Sequence, residues 1–186
     1  MTNIQKPYET IVDYITGQPA PCVGSEENRQ TVERFLVEKK GYDKADILVD
    51  ADIEVMFKGE PYKSTVDLVV CVGDTRFMAI KCVAGAIETW EREILAAARV
   101  FDKDYQLPFC AVCDGKNALV VETASGKRMG DSMESIFTRR EAEKLLKTIP
   151  LAPLAEKRRD KEQIIFRSYD LENVNVKRNI QVPDQG

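Results

Sequence analysis

Two strand-like runs on either side of a glycine turn constrain the fold of this chain more than any other feature. Residues 65–72 end in the apolar run VVCV, Gly73-Asp74 predicts a turn, and residues 76–83 form the second run. Such a pattern predicts a β-hairpin. Apolar residues at helical spacing over 87–102 then predict a helix, and residues 108–113 predict another strand. A helix that joins a hairpin to a further strand implies a mixed sheet with helices packed on it.

The remaining predicted elements extend this architecture in both directions. A helix begins after Ser25, a strand covers residues 47–55, another covers residues 118–122, and a helix covers residues 141–147. The order predicts an α/β fold with a mixed central sheet flanked by helices. We expect three parts: an N-terminal lead-in over 1–24, an α/β domain over 25–150, and a C-terminal helix with an extended arm over 151–186.

The chain contains no histidine, and this limits its chemistry. Catalysis by Ser-His-Asp or Cys-His groups, HExxH zinc sites and histidine general bases are all excluded. Any reaction must therefore use carboxylates, lysine, tyrosine, cysteine or a metal. The sequence also has no GxxxxGK[ST] stretch, so we expect no ATP site in this chain.

Cysteine number and spacing favour reduced thiols. There are five cysteines, an odd number, with no spacing typical of a disulfide framework. Cys110 and Cys113 have the spacing of half a zinc site. Residues three apart on a strand point to opposite faces, so we interpret both as small buried side chains.

Net charge and hydropathy bear on the expected affinity for nucleic acid and on the expected cellular location. The net charge of −4 does not favour general affinity for nucleic acid, although a local basic patch is compatible with it. Basic residues do cluster after Lys157, and we interpret them as a solvated face. There is no apolar run of about 18 residues and no signal-peptide pattern, so we expect a cytoplasmic protein with no membrane span.

Asp67 and Lys81 carry the strongest indication of chemistry, because a lysine inside a strand usually has a partner. A two-residue turn would place the two side chains on opposite faces. A three-residue turn over 73–75 would pair Asp67 with Lys81 and Val69 with Ala79. Cleavage of phosphodiesters with Mg²⁺ needs acidic ligands and a nearby cation, so a nuclease requires the second register. Without it, Asp67 is only a turn-capping acid.

Five short stretches between residues 25 and 125 occur in a characteristic order. They are ENRQTVERFL from Glu27, Lys40-Gly41-Tyr42, VDLVV from Val66, Ala79-Ile80-Lys81, and Cys113-Asp114-Gly115. Together they resemble the N-terminal nuclease domain of type I restriction enzyme R (restriction) subunits, which belongs to the PD-(D/E)xK nuclease superfamily. The resemblance implies a restriction-endonuclease-like sheet, Mg²⁺ as cofactor and DNA as substrate.

The resemblance also implies roles for individual residues. By position, Glu27 or its neighbour Glu26 is similar to the family's helix acid, Asp67 to its metal-binding aspartate and Lys81 to its lysine. The sequence departs from the family at Ala79, where the E-x-K pattern has its acid. This departure puts catalysis in question.

A glutamate on the following helix is the candidate to replace the missing acid. Some members of the superfamily are similar in having a small residue at this point and a glutamate on the next helix. Glu88, Glu91 and Glu93 are available here. On a helical wheel Glu91 lies about 60° from the centre of the apolar stripe, and the other two lie about 100–120° away. We therefore expect Glu91 to be the substitute, unless it only borders the helix and faces solvent.

Three functions are compatible with these residues. The first is a Mg²⁺-dependent DNA endonuclease in which Glu27, Asp67 and Glu91 hold the metal and Lys81 orients water or stabilises charge. The second, favoured by Ala79, is an inactive nuclease-fold module that binds DNA or a protein partner. The third is a structural protein that forms a homo-oligomer through its C-terminal arm.

Overall fold

The computed structural model describes residues 9–178, with side chains described as far as Leu171. The four helices of this part are α1 Glu26–Glu38, α2 Glu91–Val100, α3 Arg139–Leu146 and α4 Glu156–Arg178. Its eight strands are β1 Thr10–Val12, β2 Pro19–Pro21, β3 Ile47–Phe57, β4 Glu60–Val72, β5 Thr75–Cys82, β6 Phe109–Cys113, β7 Ala118–Glu122 and β8 Arg128–Gly130. No helix in residues 9–178 is long and apolar enough to cross a membrane.

A six-stranded mixed sheet forms the centre of the protein, with the strands in the order β3-β4-β5-β6-β7-β8. Only the β5–β6 pair is parallel, because α2 carries the chain across the sheet between these two strands. One apolar core lies between the sheet and α1 and α3, and the other lies between the sheet and α2 and α4. The predicted α/β fold with a mixed central sheet and flanking helices is confirmed.

The β4–β5 hairpin reaches the predicted register by a different route. Val69 pairs with Ala79, as predicted, but Val72 pairs with Thr75, so the turn has two residues and not three. The register shifts by one residue between these two pairs, which leaves Phe77 as the extra residue of a β-bulge. The Phe77 ring is fully buried beside the rings of two other phenylalanines, which holds the bulge in place. The bulge therefore corrects the side-chain parity that the short turn would have reversed.

The C-terminal segment differs from its prediction. The expected extended arm is wrong for residues 167–178, because α4 continues as a helix to Arg178. Three of the buried residues of α4 are Glu162, Gln163 and Asp170. Polar residues at these inward positions hide the apolar period on which a sequence-based helix prediction depends. The rest of the expected arm, residues 179–186, lies outside the described residues, and so oligomer formation through it stays a prediction.

Candidate functional site

Asp67 of β4 and Lys81 of β5 lie side by side where the pairing of the two strands ends. The last paired residues are Leu68 and Ile80, and Asp67 and Lys81 are the next residues on each strand. Asp67 Oδ2 accepts a hydrogen bond from the Cys82 backbone N–H at 2.8 Å. This bond ties the carboxylate of one strand to the backbone of the other and fixes its position beside Lys81.

Lys81 is paired with a glutamate of α2. Its Nζ donates a hydrogen bond of 2.7 Å to Glu93 Oε1, and the two side chains are 17% and 3% exposed. Burial lowers the pKa of Lys81, but the negative charges of Asp67 and Glu93 outweigh it and raise the pKa above its ordinary value. The Trp90 ring lies 5.0 Å from Nζ and adds a cation–π contact. Lys81 is thus held as a charged ammonium group at neutral pH.

A small cleft lies beside this group. Asp67, Lys81 and Glu93 line it together with Thr65, Val66, Ile94, Ala97 and Phe166. Strands β4 and β5, helix α2 and helix α4 therefore all contribute residues to its walls. The cleft combines two carboxylates and one ammonium group on an apolar floor.

The expected orientation of the α2 glutamates is wrong. Glu91 points away from Lys81 and forms an ion pair of 2.5 Å with Arg128 of β8, whereas Glu93 is the residue that reaches Lys81. The helical wheel assumed a single buried stripe. In the structure α2 lies between the sheet and α4, and every residue from Glu93 to Val100 is buried. Glu93 lies on the second buried side, which sequence periodicity did not indicate.

The two candidate helix acids lie apart from the cleft. Glu27 is exposed, and its carboxylate accepts a hydrogen bond from the Cys22 thiol at 3.8 Å. Glu26 accepts hydrogen bonds from Arg29 at 2.8 Å and from Gln30 at 3.0 Å. Neither glutamate is among the residues that line the cleft. A metal-binding role for Glu27 stays a prediction.

A second, partly buried cluster, missed from the sequence, surrounds Arg29. Its guanidinium group lies 2.8 Å from Glu26, 2.9 Å from Asp50, 3.4 Å from Asp13 and 3.7 Å from Glu33. We call these five residues the Arg29 cluster. Asp50 has a left-handed backbone, with φ 47°, at the position on β3 that faces Asp67 of β4. Acids three before and four after Arg29 on one helix could have indicated this cluster.

Glu33 is the most strongly perturbed acid of the Arg29 cluster. Its side chain is fully buried, and Arg29 Nε lies 3.7 Å from Oε1. Burial raises the pKa of Glu33 to about 7, with Asp13 and Glu26 acting in the same direction and Arg29 opposing them. The carboxyl group therefore changes charge near neutral pH.

We expect Glu33 to make the protein less stable as the pH rises. The folded state holds the Glu33 proton up to a pKa of about 7, against a model value of 4.5 for an exposed glutamate. The stability that this proton provides is complete below pH 4.5 and is lost as the pH rises through 7, with a total on the order of 3 kcal/mol.

Urea unfolding at pH 5 and pH 8 measures this dependence. Glu33→Gln should lose most of the difference between the two pH values, while Glu38→Gln, an exposed glutamate of the same helix, should keep it. An equal pH dependence in all three proteins would show that Glu33 is ionised in the folded state at pH 5.

The donor set of the cleft suits a hard cation better than zinc. Within residues 9–178, no group of three or more Cys, Asp or Glu side chains is placed to hold a metal ion. Asp67 and Glu93 nevertheless supply two carboxylates to one cleft, and Mg²⁺ is commonly held by one or two carboxylates with water and substrate phosphates completing its shell.

Cys110 and Cys113 are buried in different cores, as expected, and burial raises the pKa of Cys110 to about 12.

The sheet order, the flanking helices and the acid–lysine pair on neighbouring strands define an α/β protein with a charged cleft at the fork of two strands. The family described as type I restriction enzyme R protein N terminus (HSDR_N) matches residues 24–136. The chain belongs to this family, which confirms the resemblance to the N-terminal domain of type I restriction enzyme R subunits. No curated protein and no solved structure matches the chain.

Proposed function

We propose that this protein is a Mg²⁺-dependent DNA endonuclease in which Glu93 replaces the acid missing at Ala79. The observation that carries the proposal is the 2.7 Å contact between Glu93 and Lys81 in the cleft that also contains Asp67. Membership of the restriction-enzyme family supports DNA as the substrate. Glu93 takes the role that the sequence suggested for Glu91, because Glu91 is engaged with Arg128.

Each residue of the cleft has a distinct task in this mechanism. Asp67 and Glu93 would hold the metal, which supplies Lewis acidity toward a phosphodiester. The Cys82 N–H fixes the Asp67 carboxylate, so this ligand is oriented before any cation binds. The Lys81 ammonium attracts the scissile phosphate and stabilises the negative charge that develops on it. The apolar floor limits water and strengthens these charge interactions.

One observation favours the alternative of an inactive module that binds DNA or a protein. The Lys81–Glu93 ion pair is nearly buried, and Phe166 of α4 closes one side of the cleft. An ion pair that only stabilises the fold would give the same arrangement. Metal binding separates the two functions, because the inactive module has no use for a metal.

Calorimetric titration with Mg²⁺ and Mn²⁺ tests the proposal. Asp67→Asn and Glu93→Gln should each weaken metal binding by about 10- to 100-fold, the loss typical even for groups that only support metal ligands. Glu91→Gln removes the same charge two residues away on α2 and should leave binding unchanged. Plasmid cleavage should follow the same order.

The outcome that contradicts the proposal is equally specific. If the parent protein binds neither Mg²⁺ nor Mn²⁺ and cleaves no plasmid in the presence of either cation, the inactive module remains as the function. Loss of binding in Glu91→Gln but not in Glu93→Gln would return the substitute role to Glu91.

A further inference from the structure

Helix α4 covers the candidate active site from outside the part of the chain that matches the family. The match ends at residue 136, and α4 begins at Glu156. Phe166 of α4 is 2% exposed and lines the same cleft as Asp67 and Lys81. A phosphate approaching Lys81 through this wall would meet the Phe166 ring.

The inner side of α4 places carboxylates against the cations of this surface. Glu162 forms ion pairs of 2.7 Å with Arg92 and 2.8 Å with Arg99, both on α2. Asp170 accepts a hydrogen bond of 2.6 Å from the Tyr62 hydroxyl group. Asp170 also lies near enough to Lys81 to help raise the pKa of its ammonium group. Glu162 thus pairs with two cations of α2, and Asp170 adds a second buried carboxylate to the inner side of α4.

The contacts that fasten α4 are partly polar, beside Phe166 and Ile165, which pack into the apolar core. Gln163 accepts a hydrogen bond from the Met56 N–H at 2.7 Å, and Arg159 donates to the carbonyl oxygens of Val100 and Asp102. Water can replace each of these bonds when the helix lifts, whereas an apolar interface would have no such replacement. The helix follows a connection with two prolines, Pro150 and Pro153.

We propose that α4 is a displaceable cover, and that Glu162 and Asp170 occupy positions which DNA phosphates take when it opens. The inference rests on the proposed function, since it assigns Arg92 and Lys81 to the phosphate backbone of the substrate. Carboxylates and phosphates compete for the same cations because both are anionic oxygen acceptors. Opening the cover exposes the cleft and frees this cationic surface together.

A pair of double variants in the full chain tests the cover. Glu162→Gln with Asp170→Asn removes both inward acids, and Glu156→Gln with Asp160→Asn removes two exposed acids of the same helix. The rate of Lys81 acetylation, read by mass spectrometry, reports access to the cleft, and Glu162→Gln alone, which leaves Asp170 and its effect on the Lys81 pKa in place, separates access from a change in that pKa. Lys40, which is 6% exposed and lies on the other side of the sheet, reports general unfolding. Anisotropy of a labelled DNA duplex reports binding.

We expect the inward double variant to acetylate Lys81 about tenfold faster than the parent and to bind the duplex about tenfold more tightly than the exposed double variant, because charged hydrogen bonds of this kind shift an equilibrium by that factor. Unchanged Lys81 acetylation would overturn the cover, whatever the nuclease assays show. Faster acetylation with no gain in DNA affinity would uphold the cover and overturn DNA phosphates as its competitor, while the proposed function is decided separately by metal binding and plasmid cleavage. If Lys40 acetylation also rises, the double variant is partly unfolded. Tyr62→Phe, which removes only the hydroxyl group that donates to Asp170, then takes its place, and the Lys81 acetylation rate and the DNA affinity of this variant decide the outcome.

Discussion

Replacing Arg29 with methionine is expected to lower the free energy of unfolding by about 3–5 kcal/mol. The Arg29 side chain is 9% exposed, and four carboxylates lie within 3.7 Å of its guanidinium group; Asp13, Glu26 and Glu33 are largely buried, and Asp50 is half exposed. Methionine fills a similar volume but leaves these acids without a cation. Breaking a buried ion pair from one side is costly because the partner charge stays buried and unpaired. A loss of this size is a large part of the stability of an ordinary domain.

Urea unfolding followed by circular dichroism measures the effect. Arg34→Met removes the same charge from the exposed side of α1 and should change the free energy of unfolding by less than about 1 kcal/mol. The Arg29→Met penalty should be smaller at pH 5 than at pH 8, because Glu33 is protonated below its pKa of about 7. Equal penalties for the two arginine variants would mean that solvent, and not Arg29, neutralises the cluster.

Local patterning was enough to predict most of the sheet. The β4–β5 pairing and the crossover through α2 follow from strand composition, turn residues and helical spacing. The short turn was not predictable in the same way, since the bulge at Phe77 depends on aromatic contacts with Phe109 and Phe137 from distant parts of the chain. The predicted pairing of Val69 with Ala79 holds although the turn has two residues and not three, because burial of apolar side chains on the sheet fixes the register.

The site was less predictable because its residues are placed by tertiary contacts. Asp67 and Lys81 could be predicted from the sequence of two neighbouring strands. The burial of Glu93 could not, because it depends on packing against α4, whose buried residues include the polar side chains of Glu162, Gln163 and Asp170. A helical wheel describes one helix against one surface, and α2 has two. The Arg29 cluster joins the lead-in, α1 and β3, so no single stretch of sequence contains it.

Ala79 has a structural counterpart on α2. It is fully buried in the same core as Ala96, Ala97 and Ala98, and it lies on the sheet face that α2 covers. Small side chains on both surfaces allow a helix to approach a sheet closely. The close approach brings Glu93 within 2.7 Å of Lys81. The alanine at residue 79 and the glutamate at residue 93 are therefore two parts of one packing arrangement.

Replacing Lys81 with methionine is expected to reduce DNA cleavage by about 100- to 1000-fold, the cost of removing one group that stabilises transition-state charge. Metal binding should persist, because Asp67 and Glu93 keep their carboxylates and lose the cation that competes for them. This combination distinguishes Lys81 from Asp67, whose replacement by asparagine should weaken both metal binding and cleavage.

Plasmid cleavage and Mg²⁺ calorimetry on the same protein samples measure the two effects. Lys63→Met is the matched control, since Lys63 is exposed on β4 and its ion pair with Glu54 lies at the surface. Retained metal binding also shows that the Lys81→Met protein is folded, so a loss of cleavage cannot be attributed to unfolding. A Lys81→Met protein that cleaves at the parent rate would remove the ammonium group from the mechanism and leave Lys81 as the partner of a buried glutamate.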